Sequence, residues 1–390
     1  MSDNVTTRQP TPAGGAAVGD VAAVRWRIDA ALTDFLAGAA DSIEAAGPEL
    51  VRVTSAAREC VLAGGKRMRP VFAYWGWRCV HHDGARGEDA LVRVAAGLEL
   101  LHAAALVHDD LIDASDTRRG RPAAHVRFAA ERGDAHRSGP ARRAADARRP
   151  GDMRSPNDPQ TFGAAAAILL GDLLLSWSWS MVSAAVGGLE HGARALAAFD
   201  ALCTEMMAGQ YLDVLEQARG GYSVETALRV ARFKSAKYTV ERPLHMGAAA
   251  GGAPEVMIAS LSAFGVPLGE AFQLRDDVLG VFGDPADTGK PAGDDLREGK
   301  RTVLVALAHD RAGPVERAAL EAGLGDRELD EDGIRRLRNV IVDTGALAEV
   351  ERMIAERAAA AQSAVDAAVI RSDAKDALAA LATAATERSR

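Results

Sequence analysis

Residues 102–120, HAAALVHDDLIDASDTRRG, constrain what this 390-residue chain can fold into more than any other stretch. An apolar run at helical spacing ends in Asp109, Asp110 and Asp113, with His102 two turns earlier on the same side. Carboxylates crowded this way repel one another and resist desolvation, so a buried or half-buried cluster needs a cation. Ligands that are all oxygens select a hard ion such as magnesium. Arg118 and Arg119 follow immediately. Acids and arginines in so short a stretch suit a polyanionic ligand: metal ions bridge its phosphates to the acids, and guanidinium groups hold the outer oxygens.

The device occurs twice. Residues 272–284, FQLRDDVLGVFGD, carry Asp276 and Asp277 behind Leu261, Phe264, Leu268 and Phe272 at helical spacing, with a bend expected near Gly265 and Pro267. Gln273 lies one turn before the acids, and Lys290 and Lys300 flank a polar loop downstream. Residues 64–70, GGKRMRP, form a basic turn opening a helix, and KSAK places Lys234 and Lys237 one turn apart. Taken singly these are ordinary features: a helix cap, a wet lysine face, a charged DDxxD surface. Two paired acids, each ending an apolar helix and accompanied by so many phosphate-suited bases, are not.

Composition points to helices. Hydrophobic residues make up 48% and aromatics only 5%, a profile poor in strand formers, and no segment alternates with period two. The chain is therefore read as all-α, with helical pattern over 21–62 broken at Gly47 and Pro48, over 88–112, 162–186 and 193–215, and from Val224, capped by Ser223, towards Arg242. Residues 1–20, rich in Gly, Pro, Thr and Ala, are expected to be disordered, and 21–390 to form a single domain with a mobile arginine-rich insert at 131–159. The net charge of −8 argues against non-specific nucleic-acid binding. Cys60, Cys79 and Cys203 are odd in number and scattered, as reduced thiols of a cytoplasmic protein would be, and no secretory signal is visible. No membrane span is expected, because Arg93, Glu99, His102 and Asp172 interrupt the apolar runs.

Together these motifs resemble the trans-isoprenyl diphosphate synthase (polyprenyl synthetase) family, from near residue 25 to the C-terminal helices. The resemblance implies an isoprenoid synthase type helical bundle around a deep central apolar cavity, the two acidic motifs facing each other across its mouth. It makes Asp109, Asp113 and Asp276 the principal metal ligands, assisted by Asp110 and Asp277, for three magnesium ions with substrate bound. Lys66, Arg69, His102 and Arg119 match the residues holding isopentenyl diphosphate. Arg118, Lys234, Ser235, Gln273, Lys290 and Lys300 match those around an allylic diphosphate such as dimethylallyl, geranyl or farnesyl diphosphate. Arg118 and Lys234 then join Asp109, Asp113 and Asp276 as the catalytic set that neutralises the departing diphosphate.

The pattern has departures. Ser235 stands where many members carry threonine, Gly280 where eukaryotic relatives often have a third acid, and the first motif lacks the two-residue insertion of the bacterial farnesyl type. In the resembling family, bulky aromatics at the fourth or fifth residue before the first motif stop growth at fifteen carbons; here those places are Ala105 and Ala104. Leu101, about two turns or ~12 Å below the acids, is expected to narrow the shaft further down. The implied product is geranylgeranyl diphosphate, with a longer polyprenyl chain as the alternative, and the implied assembly is a homodimer. A class I terpene cyclase and a non-catalytic synthase subunit are the rival readings. GGKRMRP and DDVLG do not suit the cyclase, and a subunit typically loses motif residues that this chain keeps.

Overall fold

The computed structural model of the chain describes residues 16–138, 158–284 and 293–386. In chain order, α1 (Ala16–Glu44), α2 (Val51–Leu62), α3 (Met68–Arg78), α4 (Glu88–Ile112) and α5 (Ala124–Ser138) precede α6 (Pro159–Val186) and α7 (Gly192–Arg219). The short α8 (Val224–Val230) runs into a π-helix (Ala231–Glu241), then α9 (Arg242–Ala250) and α10 (Glu255–Phe282). There follow α11 (Asp294–Glu298), α12 (Val303–Arg311), α13 (Pro314–Gly323), α14 (Glu331–Asp343), α15 (Ala346–Ala367) and α16 (Ser372–Thr386). The only strands among the described residues are Thr117–Arg118 and Arg121–Pro122, which pair antiparallel around Arg119 and Gly120. The chain is all-α.

Helix boundaries follow local chemistry. Asp158 Oδ2 accepts from Thr161 N at 2.9 Å with Pro159 in the first turn, and Ser223 Oγ accepts from Thr226 N at 3.2 Å. Two boundaries differ from expectation. Ala16–Asp20 already belong to α1, inside the stretch read as disordered, while residues 1–15 lie outside the described residues. Of the expected insert at 131–159, the part to Ser138 continues α5 and Pro159 opens α6, because these two helices pack on each other; 139–157 lie outside the described residues. No break appears at Pro267, which sits within a continuous α10.

Four elements wall the centre: α4, α7, the π-helix and α10. Two glycines let the π-helix approach its neighbours: a Cβ on Gly209 of α7 would lie 2.4 Å from Lys234 N, and one on Gly269 of α10 would lie 2.5 Å from Ala236 O. On the outside, α6 covers α4 and α15 covers α10. By length and composition α4, α6 and α10 are each apolar enough to cross a membrane, so the interrupting charges do not exclude it as expected. In α4 that apolar surface faces the bundle, with 72% of the apolar window buried. The three cysteines are free thiols, pushed up to about 11 (Cys60) and about 12 (Cys79, Cys203) by burial, which leaves them unreactive.

Candidate active site

The four wall elements enclose a cavity of about 790 Å³. At its mouth Asp109 of α4 and Asp276 of α10 both line the wall, so the two acidic motifs do face one shared space. Between them the π-helix contributes Lys234 and Ser235, and α7 contributes Gln210 and Asp213. A π-helix is rare and concentrates at functional sites. Here its wide turn puts Lys234 and Tyr238, four residues apart, on the cavity wall, while Lys237 turns away to Glu205 at 2.8 Å.

The first cluster is already paired with cations of the protein. Asp109 Oδ1 accepts from Gln210 Nε2 at 2.9 Å and from Lys234 Nζ at 3.1 Å. Burial opposes ionisation of Asp109, but Lys234 and Lys300 outweigh it and hold the carboxyl down to about 2. Lys234 also donates to Asp213 Oδ2 at 2.6 Å, and these carboxylates raise its pKa despite burial. Asp110 behaves differently. It is buried behind the mouth, where Arg118 Nε donates to Oδ1 at 2.8 Å, and it does not line the cavity. Asp113 is buried too, pushed up to about 6 by burial and by Asp109. Neither of its carboxylate oxygens has a hydrogen-bond partner among the described residues, and Lys300 Nζ stands 3.6 Å from Oδ2.

The second cluster meets further acids. Asp277 is pushed up to about 8 by burial, with Asp295 and Asp276 adding repulsion, although Gln273 Nε2 donates to Oδ1 at 2.7 Å. Lys300 links the clusters, lying 3.3 Å from Asp295 Oδ1 as well as near Asp113. No three metal-type side chains converge among the described residues, so a hard divalent cation here would complete its shell with oxygens of water or of a bound ligand. The donors fit such an ion: all are carboxylates, Asp113 has unsatisfied buried oxygens, and Asp277 is costly to ionise without a nearby positive charge.

The opposite side of the mouth is basic. Lys66, Arg69, His102 and Arg119 all line it. Arg69 Nη2 donates to Thr239 Oγ1 at 3.0 Å, with its guanidinium 4.3 Å over the Tyr238 ring. Burial, then the charges of Arg69 and Arg119, lowers the His102 pKa well below its usual value, so the ring is neutral. The loop itself is pinned by Arg67, which donates to Glu99 Oε2 at 2.9 Å and Asp29 Oδ1 at 2.8 Å. The described non-glycine residues with positive φ are Arg67 (49°), Ala114 (49°) and Arg119 (54°), all beside this mouth, where backbone strain is typically retained.

Of the residues singled out from sequence, Lys66, Arg69, His102, Ala105, Asp109, Arg118, Arg119, Lys234, Ser235, Gln273, Asp276, Asp277 and Lys300 share the cavity wall. Lys290 lies outside the described residues. Asp110 and Asp113 sit behind the wall, and Leu101 and Ala104 do not reach it: both are closed into the packed core, Leu101 against Phe199 and Leu202. Ala105 alone of the three positions read as length-setting borders the cavity. Sequence reasoning passed over Arg67, Glu99, Gln210, Asp213 and Asp295. For Gln210 and Asp213 the signal was a polar pair three residues apart on one helix face.

Residues 51–341 match the family model described as polyprenyl synthetase. The chain belongs to the polyprenyl synthetase family. Among curated members, this polyprenyl synthetase is 32% identical over 313 residues to geranylfarnesyl diphosphate synthase of Aeropyrum pernix, covering 79% of this chain and 86% of that one. It is 29% identical to geranylgeranyl diphosphate synthase of Saccharolobus solfataricus, over 72% of this chain and 73% of that one. Among solved structures, the geranylgeranyl pyrophosphate synthase of Corynebacterium glutamicum, complexed with isoprenyl diphosphate and magnesium, superposes with a TM-score of 0.83 at 39% identity. That match covers 93% of this chain and 98% of the other.

Proposed function

We propose that this chain is a prenyltransferase that condenses isopentenyl diphosphate head to tail with an allylic diphosphate, giving geranylgeranyl diphosphate. The observation that carries the reading is the mouth itself: Asp109 and Asp276, from separate helices, face one cavity that Lys66, Arg69, His102, Arg119, Lys234 and Lys300 also line. Asp109, Asp113 and Asp276 are the holders of magnesium, three ions with substrate bound, assisted by Asp277 on the cavity wall and by Asp110. Bound magnesium supplies the charge that neutralises the departing diphosphate. Arg118, Lys234 and Lys300 share that task, and Ser235 and Gln273 orient the allylic headgroup. Lys66, Arg69, Arg119 and the neutral His102 hold isopentenyl diphosphate. The allylic C–O bond breaks, the isopentenyl double bond attacks the cation, and the proton lost goes to the released diphosphate. Below the rim, apolar walls exclude water that would otherwise quench the cation.

Ala105 on the cavity wall supports growth past fifteen carbons. The similarity to a geranylfarnesyl synthase favours a longer product as the second reading. Exposed apolar residues on two neighbouring helices, among them Leu169 (67%) and Trp179 on α6 and Tyr211 (68%) and Met207 on α7, support a homodimer through this face. The unreactive thiols support a cytoplasmic setting.

Chromatography of dephosphorylated products from purified chain, with dimethylallyl, geranyl and farnesyl diphosphates as alternative primers, tests the reading. A dominant twenty-carbon alcohol is expected. A dominant fifteen-carbon alcohol would refute the product, and no condensation by the chain alone would refute the catalyst.

A further inference from the structure

The wall helices repeat one layer order, and that order locates the end of the shaft. The 2.9 Å hydrogen bond from Gln210 to Asp109 fixes the register of α7 against α4 at the mouth. One turn back along each helix, at ~6 Å of rise, are Met206 and Ala105, and both line the cavity. One turn further back are Leu202 and Leu101, both fully buried and packed in one cluster with Phe199. On α10 the same steps from Asp276 lead to Phe272, on the wall, and then to Leu268, fully buried. A headgroup layer thus lies over a tail layer, and a leucine layer closes the bottom.

The side chains of the tail layer differ in what fixes them. Ala105 presents a methyl group, Phe272 a rigid ring, and Tyr238 a ring held under the Arg69 guanidinium. Met206 is only half-buried and packs directly on the cluster containing Leu101 and Leu202. An unbranched thioether changes rotamer cheaply and fills irregular space, unlike its neighbours.

We propose that Met206 is the product-length gate: it stands between the growing tail and the Leu101–Leu202 floor, and its size sets the carbon number. The inference rests on the prenyl diphosphate synthase reading of this cavity. On α4 the residue in register with Met206 is Ala105, with Leu106 beside it on the wall, so the adaptable side chain at this depth comes from the facing helix, about one hundred residues away in sequence.

The test is product chromatography for Met206→Ala, Met206→Phe and Met206→Leu, with Ala105→Phe as a yardstick. Met206→Ala is expected to lengthen the dominant product by at least one five-carbon unit and Met206→Phe to shorten it, while Met206→Leu, close in volume, keeps the wild-type set. A wild-type product set from both Met206→Ala and Met206→Phe, with Ala105→Phe shortening the chain, overturns the gate and leaves the synthase reading standing. If Ala105→Phe also changes nothing, the tail does not use this shaft and the gate fails with it. Absence of condensation by the wild-type chain overturns both. Should the bulky variant not fold, Met206→Ala decides alone, since it only removes atoms.

Discussion

The two acid pairs look alike in sequence and differ in charge. Asp109 faces Lys234 and Gln210 and stays ionised down to about 2, whereas Asp277 faces Asp295 and Asp276 in a buried setting and is pushed up to about 8. Asp109 already meets cations of the protein, whereas the nearest charges that act on Asp277 are mainly further acids. A paired carboxylate at the end of an apolar helix therefore fixes where charge is placed, and the facing elements decide how much of it is ionised before any ligand arrives.

Substitutions that separate the members of each pair sharpen this contrast. The largest effect is expected at the residues lining the mouth: Asp109→Asn and Asp276→Asn should each lower kcat by about 10²–10³-fold in steady-state condensation assays, the scale of losing one preorganised electrostatic contact. A near-normal rate for either breaks the opposition of the clusters. Next comes Asp110, which is occupied by Arg118 behind the wall. Asp110→Asn should cost up to about 3 kcal/mol in denaturant unfolding, as expected for one partner removed from a buried ion pair. An unchanged midpoint would mean that Arg118 finds another partner.

Smaller effects follow at the second pair. Asp277→Asn mimics a carboxyl that keeps its proton in the metal-free protein, so its kcat should fall less than tenfold, about a kcal/mol of barrier. A loss as large as that of Asp276→Asn would show that Asp277 must ionise. The smallest effect is on pH dependence. In the unfolded chain Asp277 loses its proton near the usual ~4; in the folded, metal-free protein it holds it to about 8. The folded state thus binds more protons between these values, and its stability should fall as pH rises through that window. Urea unfolding in chelator at several pH values measures the slope, and Asp277→Asn should flatten it.

Much of this was legible in the chain because it is local. The span of α4, Glu88–Ile112, and the neighbourhood of His102, Asp109 and Asp113 follow from helical spacing alone. What spacing does not contain is the partner. Asp110 is drawn off by Arg118 across a two-residue hairpin, and Lys237 by Glu205 on another helix. Leu101 falls out of the shaft because it is packed into one buried cluster with Leu202 and Phe199 of α7. The π-helix was hidden as well, since residues 224–242 carry an ordinary helical pattern, and the close approach that Gly209 and Gly269 allow lies in other elements.

The account rests on carboxylates from α4 and α10 holding one diphosphate through shared magnesium. Calorimetric binding of inorganic pyrophosphate to the purified chain, with and without magnesium, tests this most directly. The account predicts tight binding only with magnesium present, and loss of that magnesium-dependent part in Asp109→Asn and in Asp276→Asn alike. Binding that ignores magnesium, or that survives either substitution intact, would contradict it.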